Sequence, residues 1–289
     1  MTDGKFYLKK IALNEDEFDK LRNLVFKVSG ISLADTKREL VISRFSRRVK
    51  SLKLNSFSDY YNLLVSPSGF SEVQNFINSI TTNKTDFFRE AHHFDFIISN
   101  FIPEILAKGK KPVRIWSAAC STGEEPYTIA MVMHKHLVEP YAVPVKIFAT
   151  DIDTNALKTG AAGVYDSQVI SPIPEHYLKR YFLRGKENNA GLYKIKNEIR
   201  EMVTFKKLNF IADEYPISNT FDIVFCRNVI IYFNSETKKA VVSKILRFVN
   251  EGGYLMMGHS ETLFNLIEGL TYLKNTIYQK NYNSKYNGD

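Results

Sequence analysis

Glu124 and Glu125 stand side by side after a run of small residues, SAACSTG, with apolar stretches before and after them. Two acids in the first turn of a helix favour the positive end of its macrodipole. Together they would repel a pyrophosphate and suit a ligand carrying positive charge and hydroxyls. A second acidic pair closes VKIFATDID, where Asp151 lies at the end of an apolar run and Asp153 just beyond it. In a doubly wound fold an acid at that place accepts both ribose hydroxyls, and a charge-assisted hydrogen bond is worth roughly 1.5–3 kcal/mol. Asp153 is better placed to cap the helix that follows. Arg227 and Asn228 end the buried run beginning at Phe221, with Tyr232 shortly after. Polar groups at the carboxyl end of a central strand face a ligand crevice. Arg89, in TTNKTDFFREAHHF, sits among aromatics. Its planar guanidinium can take a carboxylate by two parallel hydrogen bonds. The segment reads either as a linker stapled to the next domain or as a piece that folds over a ligand.

Other chemistry is poorly supported. Only Gly123 of the small-residue turn is glycine, so neither a dinucleotide fingerprint nor a P-loop is present. No G-x-S-x-G elbow occurs. His134 and His136 are spaced i, i+2 on a helix, His92 and His93 are adjacent, and no C-x-x-C exists, so no metal is expected. The two cysteines, Cys120 and Cys226, read as packed small residues and suggest a reducing cytosol. His259 reads as a core or rim histidine. The opening MTDGKFYLKK lacks an apolar signal core, and no apolar run suffices to span a bilayer. A cytoplasmic protein without membrane insertion is expected. The net charge of +8, from 39 Lys+Arg against 31 Asp+Glu, favours an acidic partner, either nucleic acid or an acidic protein face.

The elements that must position these groups follow from periodicity. Helices are predicted near Asn14–Ser29, Thr36–Leu52, Phe57–Val65 and Ser71–Ile80, so the first eighty or so residues are all-helical. On the second helix Ile42, Phe45, Val49 and Leu52 share one side, while Lys37, Arg44 and Arg48 share another with Arg47 beside them. That basic side is either a solvated face or a docking face. A helix from Phe94 to Lys108 should be perturbed at Pro103 and ended by Gly109. From Val113 strands and helices alternate, the mark of a parallel sheet with crossovers. Between Gly163 and Thr204 the rhythm breaks at SPIP and GKENNAG, which predicts a small antiparallel insertion. The rhythm resumes with a strand ending at Asn209, the strand from Phe221, and a helix begun near Ser235 and stopped at Gly252–Gly253. The strand YLMMGHSE and a closing hairpin LTYLKNTIYQKN come last. The domain reading is therefore an all-helical part over 1–82, a linking segment and helix over 83–110, and an α/β domain over 111–289 with its insertion at about 163–204.

Several stretches together resemble the chemotaxis-receptor methyltransferases of the CheR type: TTNKTDFFREAHHF, RIWSAACSTGEEPYTIA, FATDIDTNAL, the LN of KKLNF, FDIVFCRNVIIYFN and GYLMMGHSE. The likeness covers nearly the whole chain. It implies a doubly wound, mostly parallel sheet of the S-adenosylmethionine methyltransferase type, with a helical N-terminal domain and a small antiparallel β insertion. It also implies an enzyme that uses S-adenosylmethionine, leaving S-adenosylhomocysteine, to form glutamate methyl esters on cytoplasmic helices of chemoreceptors. Carried over by motif, Asn83, Thr85 and Arg89 match the segment closing over the cofactor. Glu125 matches the acid at the methionine end, and Asp151 the ribose ligand. Asn209 with Phe210, and Arg227 with Asn228, match adenosine-side contacts. Arg89 and Tyr232 match the pair that positions the substrate carboxylate. The basic residues Lys37, Arg44, Arg47 and Arg48 gain an acidic docking partner. The family's β insertion can dock a receptor's C-terminal tail peptide, which makes that peptide a second candidate partner. A monomer that binds no nucleic acid is expected. The alternatives are a nucleic-acid methylase, whose Asn/Asp-Pro-Pro-aromatic turn is missing after Cys226, and a non-enzymatic sensor, which would not need Arg89 or Tyr232.

Overall fold

A computed structural model describes residues 11–109, 111–263 and 267–282. The MTDGKFYLKK segment lies outside the described residues. Contacts divide the chain into two units, one ending at Thr82 and the other beginning at Asn83.

The first unit is a helical cluster of α1 (Glu15–Ser29), α2 (Arg38–Ser51), α3 (Phe57–Val65) and α4 (Phe70–Ile80). Asn14 caps α1 through the Glu17 N–H while the Glu17 carboxylate accepts from the Asn14 N–H, closing both ends of a capping box. Gly30 stops α1 in the left-handed region at φ 74°. The predicted second helix starts later than expected, because a 3₁₀ turn over Asp35–Lys37 precedes it. Its buried side is Val41, Phe45 and Val49 rather than one centred on Ile42. Phe45 stacks on Phe76 with centroids 4.5 Å apart, and Tyr60 meets the same ring edge-on, forming the aromatic centre of this core.

The second unit opens with α5 (His92–Phe96), a π-helical turn over Ile97–Phe101 and α6 (Ile102–Ala107). The perturbation expected at Pro103 appears as this wider turn just before it, which accommodates the missing proline N–H. Strand β1 (Val113–Ala118) leads through the small-residue turn into α7 (Glu124–Met133), extended by a π turn and the short α8 (Glu139–Tyr141). Strand β2 (Val145–Asp151) stops two residues earlier than expected because Asp153 caps α9 (Thr154–Ala162), accepting from the N–H groups of Asn155 and Ala156. The insertion contains β3 (Val164–Asp166), α10 (Glu175–Tyr181), β4 (Phe182–Arg184), β5 (Leu192–Ile195) and α11 (Asn197–Arg200). Its three strands form a separate antiparallel sheet in the order β3-β5-β4.

The main sheet continues with β6 (Val203–Lys207) and β7 (Phe221–Cys226). After α12 (Ser235–Leu246), capped by Asn234 rather than Ser235, come β8 (Val249–Met257) and the hairpin β9 (Leu270–Lys274) and β10 (Ile277–Lys280). Gly252 and Gly253, expected beyond the helix as its stop, lie inside β8, where the pairing with β7 shifts register. Among the described residues the sheet order is β6-β2-β1-β7-β8-β10-β9. The strands from β6 to β8 are mutually parallel, and β10 runs against both of its neighbours. The order reverses between β1 and β7, so the carboxyl ends of β1, β2, β6, β7 and β8 open on one edge, where such sheets bind ligands. Trp116 anchors the sheet centre, wholly buried, its indole N–H donating to Thr150 Oγ1 at 2.9 Å.

Candidate functional site

The turn after β1 departs from ordinary backbone conformations. Ala119 and Ser121 have φ of 67° and 50°, and Gly123 has φ of 99°. A Cβ on Gly123 would approach the Gly160 Cα and the Tyr165 hydroxyl to 2.9 Å, so this position needs glycine on two counts. The left-handed residues aim the Ser121 N–H at Asp151 Oδ2, at 2.8 Å. The Asp153 N–H donates to Asp151 Oδ1 at 2.9 Å. Asp151 is thus fixed at the tip of β2, and burial pushes its carboxyl up to about 6, with those backbone N–H groups opposing. Each oxygen retains acceptor capacity for further donors, which a ribose diol supplies. Asn83 joins the same cluster: its Nδ2 donates to Asp153 Oδ2 at 2.7 Å and its carbonyl accepts from Ser121 Oγ at 3.0 Å. Thr85 is half-buried in the same segment.

A second cluster forms around Arg227, whose side chain is 2% exposed. Its Nη2 donates to the Arg89 carbonyl at 2.6 Å and lies 3.4 Å from Glu90 Oε2. Its Nη1 lies 3.4 Å from Glu125 Oε2. Glu125 also accepts from Ser117 Oγ at 2.6 Å; burial pushes its carboxyl up, against the pull of Arg227. The neighbouring Glu124 bonds Thr122 instead, and burial raises it too. Arg89 keeps its own guanidinium half-exposed, with one bond from Nη1 to the Lys84 carbonyl at 3.0 Å. Asn228, in the left-handed region at φ 57°, donates its N–H to Glu261 Oε2 at 2.6 Å.

Glu261 is a residue the motifs did not single out. It is 3% exposed and accepts from the N–H groups of Asn228, Gly258 and Ile231, tying the end of β7 to the end of β8. Glu90 was missed as well. His259, beside Glu261, is exposed at the rim. Tyr232 lies half-buried in the 3₁₀ turn Ile230–Tyr232 after β7. Asn209 makes an Asx-type bond to the Ile211 N–H at 3.2 Å just past β6, and the buried Phe210 packs near Tyr215 and Phe233. Cys120 and Cys226 are both buried and free, and burial raises both thiols.

The four basic docking candidates lie in the first unit and are not equivalent. Lys37 and Arg47 are exposed and Arg44 is half-buried. Arg48 grips the buried Glu72 in a fork, Nε to Oε1 at 2.8 Å and Nη2 to Oε2 at 2.6 Å, so it is built into the helical core. Glu90, His92 and His93 bring one potential ligand atom each within 4.8 Å of one another, a grouping unforeseen from sequence. The Arg227 cation lies 3.4 Å from Glu90 Oε2, which opposes a second cation there.

A ligand with a ribose diol and an ammonium group matches this donor and acceptor set: acceptors at Asp151 and clustered carboxylates at Glu90 and Glu125. The fold and the matching family model define a methyltransferase with a SAM binding domain. The chain belongs to the CheR methyltransferase family: its residues 83–279 match the family's SAM binding domain, and residues 16–81 its all-alpha domain. It is 38% identical over 270 residues to a chemotaxis protein methyltransferase of Escherichia coli (strain K12), covering 93% of this chain and 92% of that one. A chemotaxis protein methyltransferase of Borreliella burgdorferi is 37% identical over 285 residues, covering 97% and 99%.

Proposed function

We propose that the chain methylates glutamate side chains on the cytoplasmic helices of chemoreceptors, giving glutamate methyl esters and S-adenosylhomocysteine, and so serves adaptation in chemotaxis. Bound at the strand tips, S-adenosylmethionine supplies an electrophilic methyl group on a sulfonium. Asp151 accepts the ribose hydroxyls and Glu125 the amino end of the methionine arm. Asn83 and Thr85 close over the cofactor, and Asn209 and Phe210 line its adenosine side; Arg227 and Asn228, matched to that side by motif, instead meet Glu125 and Glu90 beside the methionine arm. Arg89 and Tyr232 hold the substrate carboxylate. The observation that carries this reading is the 2.6 Å bond from buried Arg227 to the carbonyl of Arg89, beside Glu125. It supports a fixed backbone from which the Arg89 guanidinium reaches outward.

A glutamate carboxylate with a pKa near 4.3 is already ionised at neutral pH, so the reaction requires no general base. The work left to the protein is alignment of oxygen, methyl carbon and sulfur. Lys37, Arg44 and Arg47 favour acidic receptor helices, and the insertion over 163–204 is the candidate site for a receptor tail peptide. The division of labour assigns docking to residues 1–82, closure to 83–110 and chemistry to 111–289. Among the described residues no helix is long and apolar enough to cross a membrane. A cytoplasmic monomer fits a substrate presented at the membrane's inner side.

The test is transfer of tritiated methyl from S-adenosylmethionine to receptor-containing membranes. Base-labile label in receptor protein is expected; label confined to RNA or DNA rejects the proposal.

A further inference from the structure

We propose that Glu90 is a positioning residue: by sharing the Arg227 guanidinium with Glu125, it leaves the carboxylate pair one net negative charge to meet a ligand's ammonium group. The inference rests on the S-adenosylmethionine reading above. Glu90 and Glu125 lie equally far from Arg227, 3.4 Å each, on different nitrogens. Two carboxylates and one guanidinium sum to −1. Without the Glu90 charge, Arg227 and Glu125 would form a closed, neutral pair, and a ligand ammonium would have to compete with a guanidinium for Glu125.

Three features describe how Glu90 is held. Its backbone is left-handed at φ 56°, as is that of its partner Asn228 at φ 57°, whose Nδ2 donates to Glu90 Oε1 at 3.4 Å. Non-glycine residues persist there only where neighbours over-determine them. The Glu90 side chain is 13% exposed, so water screens it little. The third feature is His93, wholly buried, with Nδ1 3.8 Å from Glu90 Oε2. Its Nε2–H donates to the Asn275 carbonyl at 3.2 Å, and burial beside Arg227 lowers its pKa to about 3. The ring is therefore neutral and offers Glu90 no competing charge. Arg227 is the cation that Glu90 meets.

Binding of three ligands to the full chain, measured by titration calorimetry, tests the assignment. S-adenosylmethionine and S-adenosylhomocysteine both carry the amino-acid arm, whereas 5′-methylthioadenosine has the nucleoside without it. Glu90→Gln keeps the shape and removes the charge. It should weaken the first two ligands about tenfold or more, the scale of one lost charge-assisted contact, and leave 5′-methylthioadenosine unchanged. Glu90→Asp, which keeps the charge on a shorter arm, should recover most of the loss; if the Gln variant fails to fold, Glu90→Ala, which also removes the charge, carries the same comparison. An equal loss for all three ligands means Glu90 merely holds the fold, and no loss for any means it is idle; either overturns the inference. A wild-type chain that binds none of the three overturns the cofactor reading and this inference with it.

Discussion

Arg48 looks like a docking cation on a helical wheel but behaves as a core residue in the fold, and replacing it separates the two roles. Arg48→Met keeps an unbranched apolar stem and removes the fork on Glu72. Glu72 would remain 6% exposed, with only Tyr60 and Asn75 donating to it, at 3.0 and 2.9 Å. Breaking a buried pair by removing one partner costs about 3–5 kcal/mol. Arg48 is 28% exposed on its side chain, which places the loss near the lower limit, about 3 kcal/mol. At 1.4 kcal/mol per decade that is a rise of about 100-fold in local opening. Hydrogen exchange followed by mass spectrometry reads it directly: amides in α2 and α4 should exchange about 100-fold faster, while those in β1 and β7 keep their rates. Arg47→Met, on an exposed residue, should leave α2 protection unchanged and weaken receptor binding. Unchanged exchange in Arg48→Met, or equal exchange effects in both variants, would refute the assignment. The same pair sets a pH dependence. Burial alone would raise Glu72, but the bonds from Arg48, Asn75 and Tyr60 outweigh it and hold the carboxyl below the usual range. A lowered folded pKa stabilises above the unfolded value near 4.5, and that stabilisation is lost as pH falls through the folded pKa.

Arg89→Ala should abolish turnover yet leave S-adenosylmethionine affinity largely intact by calorimetry, because the Arg227 anchor grips the Arg89 carbonyl and not its side chain; intact turnover would remove Arg89 from the mechanism. Asp151, raised to about 6 by burial, has the opposite sign to Glu72. Its folded pKa exceeds the unfolded one, so its ionisation penalises the ligand-free fold at neutral pH by about 3 kcal/mol, at 1.36 kcal/mol per unit, and the penalty is relieved as pH falls from 6 toward 4. Cofactor affinity should fall as the ribose acceptor takes up a proton, about tenfold between pH 7 and pH 5. Gly258→Ala would place a Cβ 2.6 Å from Glu261 Oε2 and 2.8 Å from the Asn228 backbone nitrogen. Such overpacking against backbone costs about 1–3 kcal/mol and should lower both the melting temperature and cofactor affinity.

Local periodicity and cap chemistry made much of this fold readable in advance. The strand at Val113, the helix Phe57–Val65, the Asp153 cap and the closing hairpin all announce themselves within a dozen residues. What stayed hidden depends on long-range pairing. Glu90 meets Arg227 and Asn228 across more than a hundred positions, and Arg48 finds Glu72 two helices away. Neither pairing leaves a trace in spacing. Gly252 and Gly253 read as a helix stop because glycine usually punctuates, yet here the shift of register between β7 and β8 takes them into the sheet. The candidate site followed the same rule. Asp151 and Arg227 were visible as polar ends of apolar runs, whereas Glu261 has only its three backbone donors to identify it.

The bond from His93 to the tight turn at Asn275 has a temporal consequence. His93 lies in the first turn of the helix that leaves the Arg89 loop, but its ring nitrogen finds an acceptor only in a hairpin nearly two hundred residues later. A ribosome that has released the parallel strands alone presents a nascent chain whose buried imidazole still lacks its mate. The helix that follows the Arg89 loop, written early in the message, therefore lacks one of its ties until the last hairpin has emerged.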